Sequence, residues 1–238
     1  MRLKNTVRHH GIFPDGFGRY AAAGNHWIPL LLSTSNKGKI SEIKDLLKNF
    51  PVRIKDLDAL DPVAPPVEDG SNFTENACKK ARYYADHYQI TALADDSGLV
   101  VEALGGMPGI HSARYAGIDA TDTDRCIKLL REMTGVADRK AYFQCVVCIA
   151  IPNGPVKTYS GRCEGRIAET MQGDNGFGYD PIFYCPSMKK TFAQLSRQEK
   201  GAVSHRGNAL KMLQQDFDEV LMWMHRNWTG KQPSCSKR

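Results

Sequence analysis

The sequence predicts a single α/β domain with a mixed sheet. Three observations carry that reading. Short apolar runs alternate with segments whose apolar residues recur at helical spacing. Pro152-Asn153-Gly154-Pro155 separates two strand-like runs and signals an antiparallel hairpin. The 238 residues, 42% hydrophobic and 24% charged, can bury a core that needs no disulfide or structural metal.

Ile28–Leu32 reads as a buried strand and Ser33 to Lys39 as a polar turn. Ile40, Ile43, Leu46, Leu47 and Phe50 then line one face of a helix. Pro51 to Pro66 is extended and punctuated by proline, and a second helix covers Ser71–Tyr88. Strands are expected at Ile90–Ala94 and Leu99–Leu104, with Asp95-Asp96-Ser97-Gly98 between them. Thr121 caps a helix that turns Ile127, Leu130 and Met133 inward. Ala141–Ile151 and Val156–Arg166 form the hairpin, and Gly173–Tyr184 is a glycine-rich aromatic loop. Ser196 and Glu199 make a capping box. A long helix from Ser204 to His225 places Ala209, Leu213, Phe217, Val220 and Met224 inside. The domain thus spans 28–227, between an extension over 1–27 expected to be disordered and a flexible basic tail over 228–238.

The net charge is +6, and the two ends carry all of it, +3 over 1–27 and +3 over 228–238. The body between is neutral, which argues against a nucleic-acid face. No apolar run, Ile28–Leu32 included, approaches the ~20 residues a membrane span needs. The N-terminus lacks the apolar stretch of a secretory signal. The seven cysteines are odd in number and scattered, so reduced thiols in a cytoplasmic protein are expected. Cys145 and Cys148 form a C-x-x-C, but three residues apart on a strand they face opposite sides.

Five clusters carry chemistry. Lys39 sits in the first turn of a helix, where the dipole disfavours a cation by ~0.3–1 kcal/mol. Free amides there favour an anion, so Lys39, Thr34 and Asn36 make sense together around a phosphate. Asn76 and Lys80 are neighbours one turn apart on the helix that carries Phe73. Glu68 with one of Asp95 and Asp96 offers the two hard oxygens that suit Mg²⁺. Glycines around Phe177 and Tyr179 present rings at close range. Lys200, His205 and Arg206 place donors near a helix start. Taken singly, each also has a structural reading: a capped helix, a lysine reaching past the core edge, a turn-forming aspartate pair, a loop aromatic, a solvated cation.

In this order the motifs resemble the inosine triphosphate pyrophosphatase family. The match covers about residues 28–222. It rests on the stretches Thr34 to Glu42, Phe73 to Ala77, Ala94 to Leu99, Gly106 to Tyr115, Gly176 to Phe183, and Glu199-Lys200 through Ser204-His205-Arg206-Gly207. Ser35 departs from the pattern, standing where many relatives have glycine.

The resemblance implies an elongated mixed sheet flanked by helices, in two lobes with a central cleft, and a cytoplasmic homodimer. It implies Mg²⁺-dependent hydrolysis of ITP, dITP and XTP to the monophosphate and pyrophosphate, which cleanses the nucleotide pool. Carried over by residue, Thr34, Ser35, Asn36, Lys37, Gly38 and Lys39 hold the triphosphate, with Lys39 as the main cation. Lys80 adds a second phosphate contact. Glu68 and Asp96 hold Mg²⁺, and Asp96 also accepts the proton of the attacking water. Ser97 touches substrate. Phe177, Gly178, Tyr179 and Asp180 line the base and sugar pocket, and Lys200, His205 and Arg206 read the base edge. A non-catalytic nucleotide sensor and a pyrophosphatase for modified pyrimidine nucleotides are the rival readings.

Overall fold

The computed structural model describes residues 28–227; the extension expected over 1–27 and the tail expected over 228–238 lie outside the described residues. Seven strands form one sheet in the order β2-β1-β3-β4-β5-β6-β7. They are β1 Ile28–Leu32, β2 Val52–Asp56, β3 Ala92–Val101, β4 Lys140–Ala150, β5 Val156–Ile167, β6 Phe183–Cys185 and β7 Lys190–Thr191. β1 runs parallel to β2 and β3, and every later pairing is antiparallel. The helices are α1 Lys37–Leu47, α2 Phe73–Tyr88, α3 Asp122–Glu132, α4 Arg197–Val203, α5 His205–Gln215 and α6 Phe217–Asn227.

Two apolar layers sandwich the parallel half. Leu30, Leu32 and Leu93 face α1, α5 and α6, where they meet Ile43, Leu47, Leu210 and Leu213. Leu31, Ala92 and Ala94 face α2, where they meet Phe73, Ala77, Ala81 and Tyr84. A third cluster, with Leu129, Phe143, Ile167 and Phe183, fills the antiparallel end. Each fully buried leucine in these layers contributes ~1.5–3 kcal/mol. Cys145 joins the first layer and Cys148 the second, so the C-x-x-C is split across the sheet as its spacing requires.

Four local expectations are corrected. Asp95 to Gly98 is not a turn: β3 is one ten-residue strand, and every residue of it pairs with β4. The ladder overrides the turn preference of Asp and Gly. The C-terminal helix is interrupted at Asp216 (φ −94°, ψ 7°), although its five expected inward residues are all buried. Ile127 is exposed, and α3 turns Cys126, Leu129 and Met133 inward. The second helix begins two residues late, because Asn72 is its cap, accepting from the Glu75 amide. The proline-rich segment holds β2 and a short 3-10 turn, Leu57–Ala59.

Candidate active site

The site is organised by the pleat of β3. Successive residues alternate faces, so Asp95 and Ser97 point toward α1 and α5 while Asp96 points toward α2. Lys39 Nζ lies 3.2 Å from Asp95 Oδ2. Arg206, from the first turn of α5, donates to the same oxygen through Nε at 3.1 Å and Nη2 at 2.8 Å. Its Nη2 also donates to Ser97 Oγ at 2.9 Å, and its Nη1 donates to Glu42 of α1. Lys200 donates to Glu42 Oε1 at 2.7 Å and to Asp180 Oδ2 at 2.5 Å. Cations and anions therefore alternate along one line: Lys39, Asp95, Arg206, Glu42, Lys200, Asp180.

Burial and pairing compete along that line. Burial pushes the Asp95 carboxyl up, but Lys39 and Arg206 outweigh it and hold Asp95 below the usual range. Glu42 is lowered in the same way, with burial opposed by Arg206 and Lys200. Burial disfavours the Arg206 charge, yet Asp95 and Glu42 raise its pKa further. Asp180 goes the other way: burial prevails over Lys200 and raises it. Burial, then Arg206 and Lys200, drive His205 well below its usual value, so its ring is neutral.

On the opposite face, Lys80 Nζ lies 3.3 Å from both Glu68 Oε2 and Asp96 Oδ1. Burial raises the Asp96 carboxyl, and the nearby lysines only partly offset it. Burial also works against the Lys80 charge, but Asp96 and Glu68 outweigh it and raise Lys80. One ammonium touching both carboxylates shows that Glu68 and Asp96 converge on a common point. Asp96 Oδ2 is buried without a hydrogen-bond partner among the described residues. Two hard oxygens, one of them free, fit Mg²⁺ completed by water and phosphate. Among the described residues no larger cluster of metal-ligating side chains occurs.

The phosphate loop is shaped by its own side chains. Thr34 Oγ1 accepts from the Asn36 amide at 3.2 Å, and Asn36 Oδ1 caps α1 by accepting from the Lys39 amide at 3.0 Å. Ser35, Asn36 and Lys37 are exposed. Phe177 lies on Gly38, where a Cβ would come 2.5 Å from the ring. Lys200 Nζ is 4.6 Å and Arg206 Cζ 5.7 Å from the Phe177 ring centroid. The glycine-rich loop, the start of α1 and the donors of α4 and α5 thus meet at one place.

The other loop residues go elsewhere. The Gly178 amide donates to Asp122 Oδ2 at 2.7 Å, and Tyr179 is buried with its hydroxyl donating to Ser112 O at 2.9 Å. His205 stacks on Phe143 with ring centroids 4.6 Å apart. The sequence reading gave Glu42 no role and weighed Asp95 only as an alternative to Asp96, although both lie in the motifs. Their one signal was acidity: Glu42 lies in the helix that carries Lys39, and Asp95 directly beside Asp96. Asn76, noted beside Lys80 in the sequence, accepts through its side-chain oxygen from the Gly70 amide at 2.8 Å and anchors the segment behind Glu68.

A model described as the Ham1 family matches residues 30–216. A dITP/XTP pyrophosphatase of Syntrophobacter fumaroxidans is 54% identical over 196 residues, covering 82% of this chain and 84% of that protein. Another, of Desulfotalea psychrophila, is 46% identical over 208 residues, covering 87% and 93%. The solved structure of a HAM1 protein from Coxiella burnetii has a TM-score of 0.75 at 41% identity, covering 81% of this chain and 99% of that one. The Ham1 protein of Staphylococcus aureus has a TM-score of 0.73, with the same identity and coverage. No helix among the described residues is long and apolar enough to cross a membrane.

Proposed function

Since the chain belongs to the Ham1 family, we propose that it is a dITP/XTP pyrophosphatase, splitting non-standard purine nucleoside triphosphates into the monophosphate and pyrophosphate. The observation that carries the reading is the placement of Lys39 and Lys80 against opposite faces of the Asp95-Asp96 pair. Hydrolysis between the α- and β-phosphates needs charge neutralised on the phosphates and a water aligned beside them. Two lysines and the buried Asp95-Asp96 pair, midway along β3, supply both.

In this reading the triphosphate lies at the start of α1. Free amides of the first turn and Lys39 receive it there, and Lys80 receives it from the α2 side. Glu68 and Asp96 would hold Mg²⁺, which adds positive charge against the phosphate oxygens when bound. Asp96 accepts the proton of the attacking water. A positioned carboxylate is suited to that role.

The base lies by Phe177. An arginine has five N–H groups, and Arg206 makes four hydrogen bonds, which leaves one Nη1 donor. Lys200 donates to Glu42 and Asp180 and keeps one N–H. Both spare donors suit the 6-oxo group of hypoxanthine or xanthine, and neither can accept from the 6-amino group of adenine. A homodimer and a cytoplasmic setting belong to the proposal on the family resemblance.

The test is pyrophosphate release with Mg²⁺ from dITP, XTP, GTP, ATP and dTTP, with Asp96→Asn beside the wild type. Release from dITP and XTP well above ATP, lost in the variant, is the expected outcome. Binding of dITP without turnover would favour a sensor, and activity confined to dTTP would overturn the base-pocket assignment.

A further inference from the structure

Phe177 is bracketed by two glycines. Gly176 and Gly178 have φ of +79° and +63°, and glycine enters that region at no steric cost and leaves it as readily. The loop is held on its inner side by Asp180: the Phe177 amide donates to Asp180 Oδ2 at 2.9 Å, and the Asp180 amide donates to the Phe177 carbonyl at 3.3 Å. Its outer side is held by α3. Asp122, the first residue of that helix, accepts from the Gly178 amide through Oδ2 at 2.7 Å. One turn further on, the Cys126 thiol donates to the Gly178 carbonyl at 3.4 Å. Burial pushes this thiol up to about 12, so it keeps the proton that it donates. A single turn of α3 thus satisfies both backbone polar groups of Gly178.

Asp122 is itself fixed in place. Its Oδ1 accepts from the Arg125 guanidinium, and Arg125 Nη1 donates to the carbonyls of Ala113 at 3.0 Å and Ala120 at 2.6 Å. Here the motif stretch Gly106 to Tyr115 meets the site, although it supplies none of the charges. Ser112 Oγ accepts from the Leu99 amide of β3 at 3.0 Å and donates to the Gly109 carbonyl at 2.6 Å, which ties the stretch to the central strand. The Ser112 carbonyl in turn accepts from the Tyr179 hydroxyl. We propose that Asp122 is a positioning residue for nucleobase recognition: its carboxylate locks Gly178, and through Gly178 the Phe177 ring, where a base stacks. The inference rests on the reading of Phe177 as the base platform and names what holds that platform. A loop already held in its binding conformation loses less entropy when the ligand arrives. A hydrogen bond to a carboxylate is about twice as strong as a neutral one, so one acceptor is enough to set the loop. No described contact joins Asp122 to Lys39, Lys80, Glu68 or Asp96, so the phosphate end is independent of it.

The test measures KM and kcat for dITP, and inhibition by inorganic pyrophosphate, in the full chain and four variants: Asp122→Ala, Asp122→Asn, Phe177→Ala, and Asp122→Ala with Phe177→Ala. Asp122→Ala should raise KM about 10-fold, roughly the worth of one charge-assisted hydrogen bond, with kcat and pyrophosphate inhibition nearly unchanged. Asp122→Asn keeps an oxygen that can accept from Gly178 and should recover most of the rise. In the Phe177→Ala background, Asp122→Ala should add nothing, because the two residues act as one unit. Asp122→Glu, which keeps the charge beside Arg125 but misplaces the acceptor, should also raise KM and carries the test should the alanine variant not fold. An unchanged KM in Asp122→Ala overturns the proposal. So does a loss that weakens pyrophosphate and dITP together, or one that persists without the Phe177 ring, since either marks a merely structural role. A wild type inactive on dITP, or Phe177→Ala with the wild-type KM, would instead sink the reading on which the proposal rests, and the proposal with it.

Discussion

Asp95 and Asp96 are adjacent on β3, yet they belong to different charge systems: Asp95 is shared by Lys39 and Arg206, and Asp96 by Lys80 alone among the hydrogen-bond donors described. The strand pleat makes this separation, and it predicts opposite consequences for two nearly identical substitutions. Asp96→Asn should fold normally and lose turnover by ~10²–10⁴-fold, the usual worth of a positioned proton acceptor. Pyrophosphate release at saturating dITP reads it directly.

Asp95→Asn should fail in folding before it fails in catalysis. It leaves Arg206 and Lys39 without the anion that they share at the centre of the molecule. Removing one member of a buried ion network costs ~3–5 kcal/mol. Urea unfolding should therefore show a large drop for Asp95→Asn and little change for Asp96→Asn. Equal midpoints would mean the Asp95 network is not a structural element.

Stability should fall on the acid side, and Glu42 should be part of the cause. Glu42 and Asp95 have lowered folded pKa values against ordinary values of 4.5 and 3.8. A lowered carboxylate contributes stability that is present above its unfolded pKa and lost as pH falls through its folded one. Asp180 is raised, so its contribution has the opposite sign, present below 3.8 and lost as pH rises through its folded value. It offsets part of the acid loss. Glu42→Gln should lower the melting temperature at pH 7, and its gap to the wild type should narrow below pH 4.5. A gap that is constant with pH would count against an ionised Glu42.

Phe177→Ala should raise KM for dITP more than it lowers kcat. A base stacked on an aromatic ring gains ~1–3 kcal/mol, or about 5- to 150-fold in affinity. Gly38→Ala tests the same ring from below, since its Cβ would meet Phe177 and push the ring away. A similar KM rise in both variants, with folding intact, is the expected pattern.

Gly161→Ala should destabilise the whole domain. A Cβ there would come 2.2 Å from the His205 carbonyl oxygen and 2.3 Å from the Ala209 amide nitrogen. Both are backbone atoms of α5, so the helix must move as a unit and carry Arg206 with it. Overpacking of this kind costs ~1–3 kcal/mol. Chemical unfolding measures the cost, and a fall in kcat/KM would report the displaced Arg206.

Local pattern was legible. Helical spacing after Ile40 placed α1, the cap at Thr121 and the capping box at Ser196 placed the starts of α3 and α4, and Pro152 to Pro155 placed the hairpin. Those signals are short-range, because a cap or a turn is a matter of three or four consecutive residues. Asp95 to Gly98 misled for the same reason: its composition favours a turn, and only the pairing with β4, fifty residues away, makes it a strand.

The sequence by itself determined the family motifs, the alternation of helix and strand, and the residue types needed to meet a phosphate: Lys39, Lys80, Glu68 and Asp96. Tertiary structure alone decided how they divide. It set Asp95 against Arg206 and Glu42 against Lys200, partners 111 and 158 positions apart. It turned Tyr179 and His205 into the core while Phe177 settled on Gly38. Charge pairing in a buried site depends on distance and desolvation, and neither is encoded in spacing along the chain. Only the packed sheet brings the three cations and three anions into one line.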